Sequence, residues 1–160
     1  KRFNQNTNTI QRIFKLKRKI MGQIEDFKRQ IETRKKDIEN IKRYEIEREK
    51  GDIVQEKKRI EDHKKYILNY KKRKKDRSEY FKSRMKSSSS SQKKSLREVK
   101  SKEMESITRS INDEKRKIQN LKTSIQRYKD LITRHKDKIA EKKKQINSYK
   151  ESIKRLKNNR

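Results

Sequence analysis

This chain of 160 residues is 26% hydrophobic and 48% charged, with two glycines, no proline and no tryptophan. So few apolar residues cannot build the core of an ordinary globular domain, whereas these proportions are typical of coiled coils. The formal net charge of +30 predicts attraction to polyanions, and the lack of cysteine excludes disulfides and thiol chemistry.

The first half of the chain predicts one long helix. Residues 1–9 carry no heptad signal, so we expect a polar lead-in that Asn8 or Thr9 ends as a helix cap. Apolar residues then recur at steps of three and four, which predicts a first coiled-coil arm over residues 10–85. An isoleucine followed four places later by a lysine repeats through it: Ile24/Lys28, Ile31/Lys35, Ile38/Lys42, Ile46/Lys50, Ile53/Lys57, Ile60/Lys64 and Ile67/Lys71.

Two further features belong to this arm. Ile38 and Ile46 are eight residues apart instead of seven, which predicts an irregularity near 42–54, most simply an absorbed π-like turn. Residues 25–62 hold twelve basic and twelve acidic side chains. Glutamates three places before the lysines are expected to form ion pairs within the helix and to neutralise this segment.

The chain then becomes strongly basic and serine-rich. Residues 63–97 hold fourteen basic and two acidic side chains, and positions 87–91 are all serine. Because serine competes for backbone hydrogen bonds, we predict a Ser-rich turn at about 86–94. Ser95 and Glu98 match the Ser-x-x-Glu capping box, which predicts a second arm over residues 95–160.

The second arm repeats the first. Seven isoleucines recur every seven residues at position a of the heptad, and each is followed four places later by a lysine, at position e: Ile111/Lys115, Ile118/Lys122, Ile125/Lys129, Ile132/Lys136, Ile139/Lys143, Ile146/Lys150 and Ile153/Lys157. The two ladders lie symmetrically about residue 89. We therefore predict an all-α fold, a long antiparallel helical hairpin, with a parallel coiled-coil dimer as the alternative.

Basic clusters in which acidic residues are nearly absent are the predicted binding sites. Folding the chain at the serines gathers one cluster at the turn and brings a second, in the basic tail, beside the acid-free first 24 residues. The predicted partner-binding residues are Lys71, Lys72, Arg73, Lys74, Lys75, Lys93, Lys94, Lys142, Lys143 and Lys144. The repeated lysines are either a further binding edge or a solvated flank.

Other candidate sites have weaker support. Seam packing is favoured over base stacking for the aromatic residues Tyr66, Tyr70, Tyr80 and Phe81. His63 and His135 are expected to stand alone, so neither a metal site nor a catalytic pair is predicted. No cofactor motif and no converging carboxylates are present, and we expect no enzymatic activity.

These patterns favour a structural or scaffold protein that docks through its basic ends onto an acidic protein surface, such as a filament lattice or large assembly. The alternative is a sequence-independent nucleic-acid binder. A rod on anionic membranes is disfavoured, since no large exposed apolar face is expected. In periodicity the arms resemble those of chromosome-maintenance ATPases and cytoskeletal rods. Without a membrane span or signal sequence we expect an intracellular protein, cytoplasmic, cytoskeletal or nuclear, that assembles with other subunits.

Overall fold

A computed structural model of the chain describes residues 2–158, and side chains from residue 9 onward. The chain is all-α. Helix α1 spans Arg2–Asn40 and is followed by a π-helix at Ile41–Ile46. Helix α2 spans Glu47–Lys86 and α3 spans Ser90–Asn158. The described residues include no strand.

The helices form two compact units. Unit 1 comprises Lys1–Arg48 and Leu131–Arg160. Its core is formed by buried isoleucines of α1, the π-helix and the last part of α3: Ile31, Ile38, Ile41, Ile46, Ile139 and Ile146. The partly buried side chains of Ile132, Tyr149 and Ile153 pack against this core. Isoleucines at heptad spacing therefore meet across two antiparallel segments, as the predicted hairpin pairing requires.

The π-helix lies at the eight-residue step. Ile38 and Ile46 are both buried, although an eight-residue step on a regular α-helix would turn the second side chain away from the seam. Hydrogen bonds from i to i+5 accommodate one extra residue. The irregularity that the sequence places near 42–54 thus lies at Ile41–Ile46 and returns the apolar residues to one face.

Unit 2, Glu49–Asp130, is a helical hairpin made of α2, the turn and the first part of α3. Contacts across the two helices join His63 to Glu114 and Arg77 to Glu103, so the helices run antiparallel. The buried apolar residues of this unit lie on both helices: Ile60, Phe81, Ile107, Ile111 and Ile125.

The predicted lead-in is wrong as a boundary. Helix α1 begins at Arg2, not near residue 10, and Asn8 and Thr9 lie inside it. The segment contains neither proline nor glycine, and extending an existing helix adds one hydrogen bond for each residue that is ordered. A polar sequence without a heptad signal can therefore continue a helix that the apolar seam has nucleated.

Candidate polyanion-binding surface

Three residues, 87–89, join the helices of unit 2. The Ser88 hydroxyl donates a hydrogen bond to the carbonyl oxygen of Arg84 (2.6 Å), which satisfies an acceptor that the end of α2 leaves open. The Ser89 N–H donates to Oε1 of Gln92 (3.0 Å). That bond is one half of a capping box, in which the side chain at the third helical position accepts a hydrogen bond from the backbone N–H of the N-cap residue.

The helix break is narrower than the predicted turn at 86–94. Since α3 begins at Ser90, Ser95 and Glu98 lie inside the helix and are not its capping box. Ser89 and Gln92 satisfy the same Ser-x-x-Glu/Gln pattern six residues earlier, and that match was the missed signal. Serine and lysine are only modestly worse than alanine in a helix interior, so residues 90–94 join the helix.

Near the turn, Arg77 on α2 is hydrogen-bonded to α3. Its Nε and Nη2 donate to the two carboxylate oxygens of Glu103 at 2.7 and 2.9 Å. The guanidinium also lies over the rings of Tyr80 and Phe81, 4.6 and 5.1 Å from their centroids. The hydrogen bond from Arg77 lowers the pKa of Glu103, and the same bond raises the pKa of Arg77. Phe81, only 2% exposed, anchors this end of the unit 2 core.

The basic run at 71–75 is mostly open to solvent. Lys71, Lys72, Arg73 and Lys75 are exposed and form no hydrogen bond or ion pair with any residue that the structure describes. Lys74 is half-buried, and its Nζ donates to Oγ1 of Thr108 on α3 (2.8 Å). Four of the five predicted side chains are thus exposed to solvent, although, besides the hydrogen bond from Arg77, the charge of Arg73 helps to lower the pKa of Glu103. Lys74 is held against the second helix.

Further basic residues surround the turn. Lys94 is exposed and Lys93 is half-buried at the start of α3. Three more exposed cations come from the last turns of α2: Lys82, Arg84 and Lys86. We call residues 63–97 the basic tip of unit 2; it carries a net charge of +12. A cluster of one sign produces a positive potential that attracts anions from solution.

The second predicted cluster, in unit 1, is only partly free. Lys143 and Lys144 are exposed. Lys142 is half-buried and donates to Oδ2 of Asp37 on α1 (2.8 Å), and this hydrogen bond lowers the pKa of Asp37. Arg34 lies 3.7 Å from the same carboxylate oxygen. Lys142 therefore pairs the two segments of unit 1.

The fourteen lysines that follow the isoleucines, here called the lysine rails, are all exposed. Within α1 and α2, Lys28, Lys35 and Lys64 lie 2.8, 3.9 and 2.7 Å from the glutamate three residues earlier. The predicted i, i+3 ion pairs are confirmed at these three positions. Exposed pairs of this kind contribute little to the stability of a helix, because water screens both charges.

The histidines do not stand alone. His63 Nδ1 lies 2.5 Å from Oε2 of Glu114, and Glu114, 7% exposed, also accepts a hydrogen bond from Lys117 (2.6 Å). The Lys117 bond is the main cause of the lowered pKa of Glu114, with His63 contributing. Nδ1 of His135 lies 2.6 Å from Oε2 of Glu45, although the two atoms do not have the geometry of a hydrogen bond. The signal was present, because His63 and Glu114 occupy facing d positions in the predicted hairpin.

The aromatic side chains near the tip divide into two groups. Phe81 is buried and Tyr70 is half-buried, as seam packing predicts. Tyr66 and Tyr80 are 52% and 45% exposed. Each ring makes an edge contact within the chain, Tyr80 with Phe81 (ring centroids 5.5 Å apart) and Tyr66 with His63 (6.1 Å). Tyr66 has the larger exposed fraction of the two.

Across the part of the chain that the structure describes, no group of three His, Cys, Asp or Glu side chains is arranged to hold a metal ion. None of the helices over residues 2–158 combines the length and the apolar character needed to cross a bilayer. Comparisons with protein families, with curated proteins and with solved structures found no match for this chain.

Proposed function

We propose that this chain is a non-enzymatic structural protein, a coiled coil whose basic tip docks on an acidic protein surface such as a filament lattice or a large assembly. The observation that carries the proposal is the run at 71–75, where four exposed cations form no hydrogen bond or ion pair with the described residues. A pair already made within the chain would have to be broken before binding. Cations without such pairs avoid this cost.

The seam of each unit supports the coiled-coil part of the proposal. Isoleucines at heptad spacing are buried on both helices of unit 1, and the intervening rail lysines are exposed. This alternation is the pattern of knobs-into-holes packing, in which a and d positions face the partner helix. The serine-linked turn of unit 2 holds the two basic segments of the tip side by side.

The structure narrows the set of proposed contact residues. Lys74 and Lys142 already hold Thr108 and Asp37, so we assign them to helix pairing. The proposed contact residues of the basic tip are its exposed members of the predicted set: Lys71, Lys72, Arg73, Lys75 and Lys94. Lys93, half-buried beside them, contributes its charge. In unit 1, the exposed Lys143 and Lys144 are proposed as a second contact.

Charge reversal with a matched control tests the proposal. Four substitutions to Glu at Lys71, Lys72, Arg73 and Lys75 change the net charge by the same amount as four at Lys36, Lys42, Lys57 and Lys58, exposed lysines of the neutral segment 25–62. Binding of the whole chain to fluorescent poly-L-glutamate is measured by anisotropy. We expect the tip variant to lose at least about tenfold more affinity than the control, because field effects are local within a Debye length. Equal losses would reject localised docking.

Sequence-independent binding of nucleic acid is the second candidate, and the exposed ring of Tyr66 in the basic tip favours it. An aromatic face among cations can stack on the unpaired bases of single-stranded nucleic acid, whatever their sequence. Titration of the chain with single-stranded and duplex DNA at increasing salt distinguishes the two functions. Tight DNA binding that falls steeply with salt, together with weak binding of poly-L-glutamate, would favour this candidate.

A further inference from the structure

One face of α1 is apolar, and the described residues of unit 1 do not cover it. Five large apolar side chains between residues 10 and 21 are each about half exposed or more: Ile10 (53%), Ile13 (49%), Phe14 (61%), Leu16 (58%) and Met21 (56%). Ile24, which lies two heptads after Ile10 on the same face of the helix, is only 5% exposed. The seam is therefore covered from Ile24 onward, and the described residues leave the preceding three turns of the helix open.

This apolar face is wider than a two-helix seam needs. Phe14 and Met21 occupy the heptad position that Lys28, Lys35 and Lys42 occupy further along the helix. Those three lysines are exposed although the seam beside them is covered. A second helix laid along the seam would leave Phe14 and Met21 in water as well, so pairing of the kind seen in unit 1 does not account for them.

Positive charge covers the opposite face. At 3.6 residues per turn the apolar side chains span about 160° of the helix circumference. The remaining arc carries Arg12, Lys15, Arg18 and Lys19, and residues 1–24 include seven basic and no acidic side chains. Lys17 lies inside the apolar arc, so a second copy packed on this face would bring like charges together in the interface, which disfavours self-association as the way to cover it.

We infer that residues 10–21 of α1 lie in the interface of an anionic lipid bilayer. A broad apolar face with a basic opposite face is the arrangement of interfacial helices, which lie in the plane of the membrane with the cations at the headgroup phosphates. Lys17, within the apolar arc, reaches the headgroups by extending its methylene chain. The expectation that the helices lack a large exposed apolar face is wrong for this segment.

The width of the apolar arc favours a lipid bilayer over a groove in a partner protein as the surface that this segment binds. A helix bound in a groove presents anchors at i, i+3, i+4 and i+7, a stripe narrower than this arc. The inference does not depend on the basic tip, because all of its residues belong to unit 1.

Vesicle binding tests the inference. The whole chain is sedimented with phosphatidylcholine vesicles that contain or lack phosphatidylserine. We expect binding only to the anionic vesicles, and a loss of about tenfold or more for the double variant Phe14→Gln, Met21→Gln, since each side chain leaves water on insertion. The matched control is Val54→Gln, Leu68→Gln, which removes two side chains of 67% and 65% exposure from α2. It should bind like the parent chain.

A fluorescence measurement keeps the inference testable if the variant alters helix formation. The chain contains no tryptophan, so Phe14→Trp introduces a single reporter, whose emission should shift to the blue on anionic vesicles and be quenched by brominated lipid. Absence of vesicle binding, an unshifted emission, or undiminished binding by the Gln double variant would overturn the inference. The tip-reversal variant should retain vesicle binding, so failure of the proposed tip docking and failure of lipid binding are distinguishable.

Discussion

Substitution of Arg77 tests whether one side-chain cluster holds the hairpin of unit 2 together near its turn. Arg77→Met keeps the apolar stem and removes the two hydrogen bonds to Glu103 and the contacts with Tyr80 and Phe81. The conservative change Arg77→Lys keeps the charge but not the planar fork that grips both carboxylate oxygens.

The structure sets the expected size of the effect. Hydrogen bonds to charged groups contribute about 1.5–3 kcal/mol when buried, but the Arg77 side chain is 38% exposed and Glu103 21%, so solvent screens the pair. We assign about 1–1.5 kcal/mol to the pair after screening. Contact with the two rings adds about 0.5–1 kcal/mol. Arg77→Met should therefore lower the free energy of unfolding by about 2 kcal/mol, and Arg77→Lys by about 1 kcal/mol.

Urea unfolding followed by circular dichroism measures both variants. With a slope of about 2 kcal/mol per molar urea, Arg77→Met should shift the midpoint by about 1 M. The matched control is Arg109→Met, which removes an ion pair with Glu105 within α3, where both side chains are more than 60% exposed. It should cost less than about 0.5 kcal/mol. If the two Met variants were equally stable, the Arg77 cluster would not hold the helices.

The pH dependence of the free energy of unfolding tests whether the ionised Glu103 carboxylate stabilises the fold through Arg77. Because the folded-state pKa of Glu103 is lowered, its ionised carboxylate contributes stability that is fully present above the unfolded pKa of about 4.3. That contribution is lost as the pH falls through the lower folded-state pKa. The stability difference between the parent chain and Arg77→Met should be constant from neutral pH to about pH 5 and shrink under more acidic conditions. A difference that grows on acidification would contradict the reasoning.

Two further predictions concern α2 and the seam of unit 2. Gly51→Ala should raise the free energy of unfolding by about 0.5–1 kcal/mol, because an added Cβ meets no atom within 4 Å and the glycine has no positive φ. As a control, Ala140→Gly at an exposed position should lower the free energy of unfolding by a similar amount. A Gly51→Ala variant less stable than the parent chain would refute this account. A double-mutant cycle over His63 and Glu114 should give a coupling of about 1–2 kcal/mol at neutral pH, since Glu114 is buried and joined to both His63 and Lys117; additive effects would show that the contact carries no energy.

Much of the fold follows from spacing along the chain. Apolar steps of three and four residues predict long helices because 3.6 residues complete a turn. The eight-residue step at Ile38 predicted an extra residue in the helix, and the π-helix lies there. The helix start at Arg2 and the narrow break at 87–89 were missed, because element boundaries depend on single hydrogen bonds such as that from Ser89 to Gln92.

The sequence by itself determined that this protein is helical, that isoleucines form its seam, and that the residues around the serine run are strongly basic. Only the tertiary structure decided that Lys74 and Lys142 are hydrogen-bonded within the chain, and that the described residues leave the large apolar side chains between residues 10 and 21 of α1 exposed. The physical reason is that helical periodicity specifies which side chains share a face. What lies opposite that face depends on how the helices align along their length, and no local pattern encodes it.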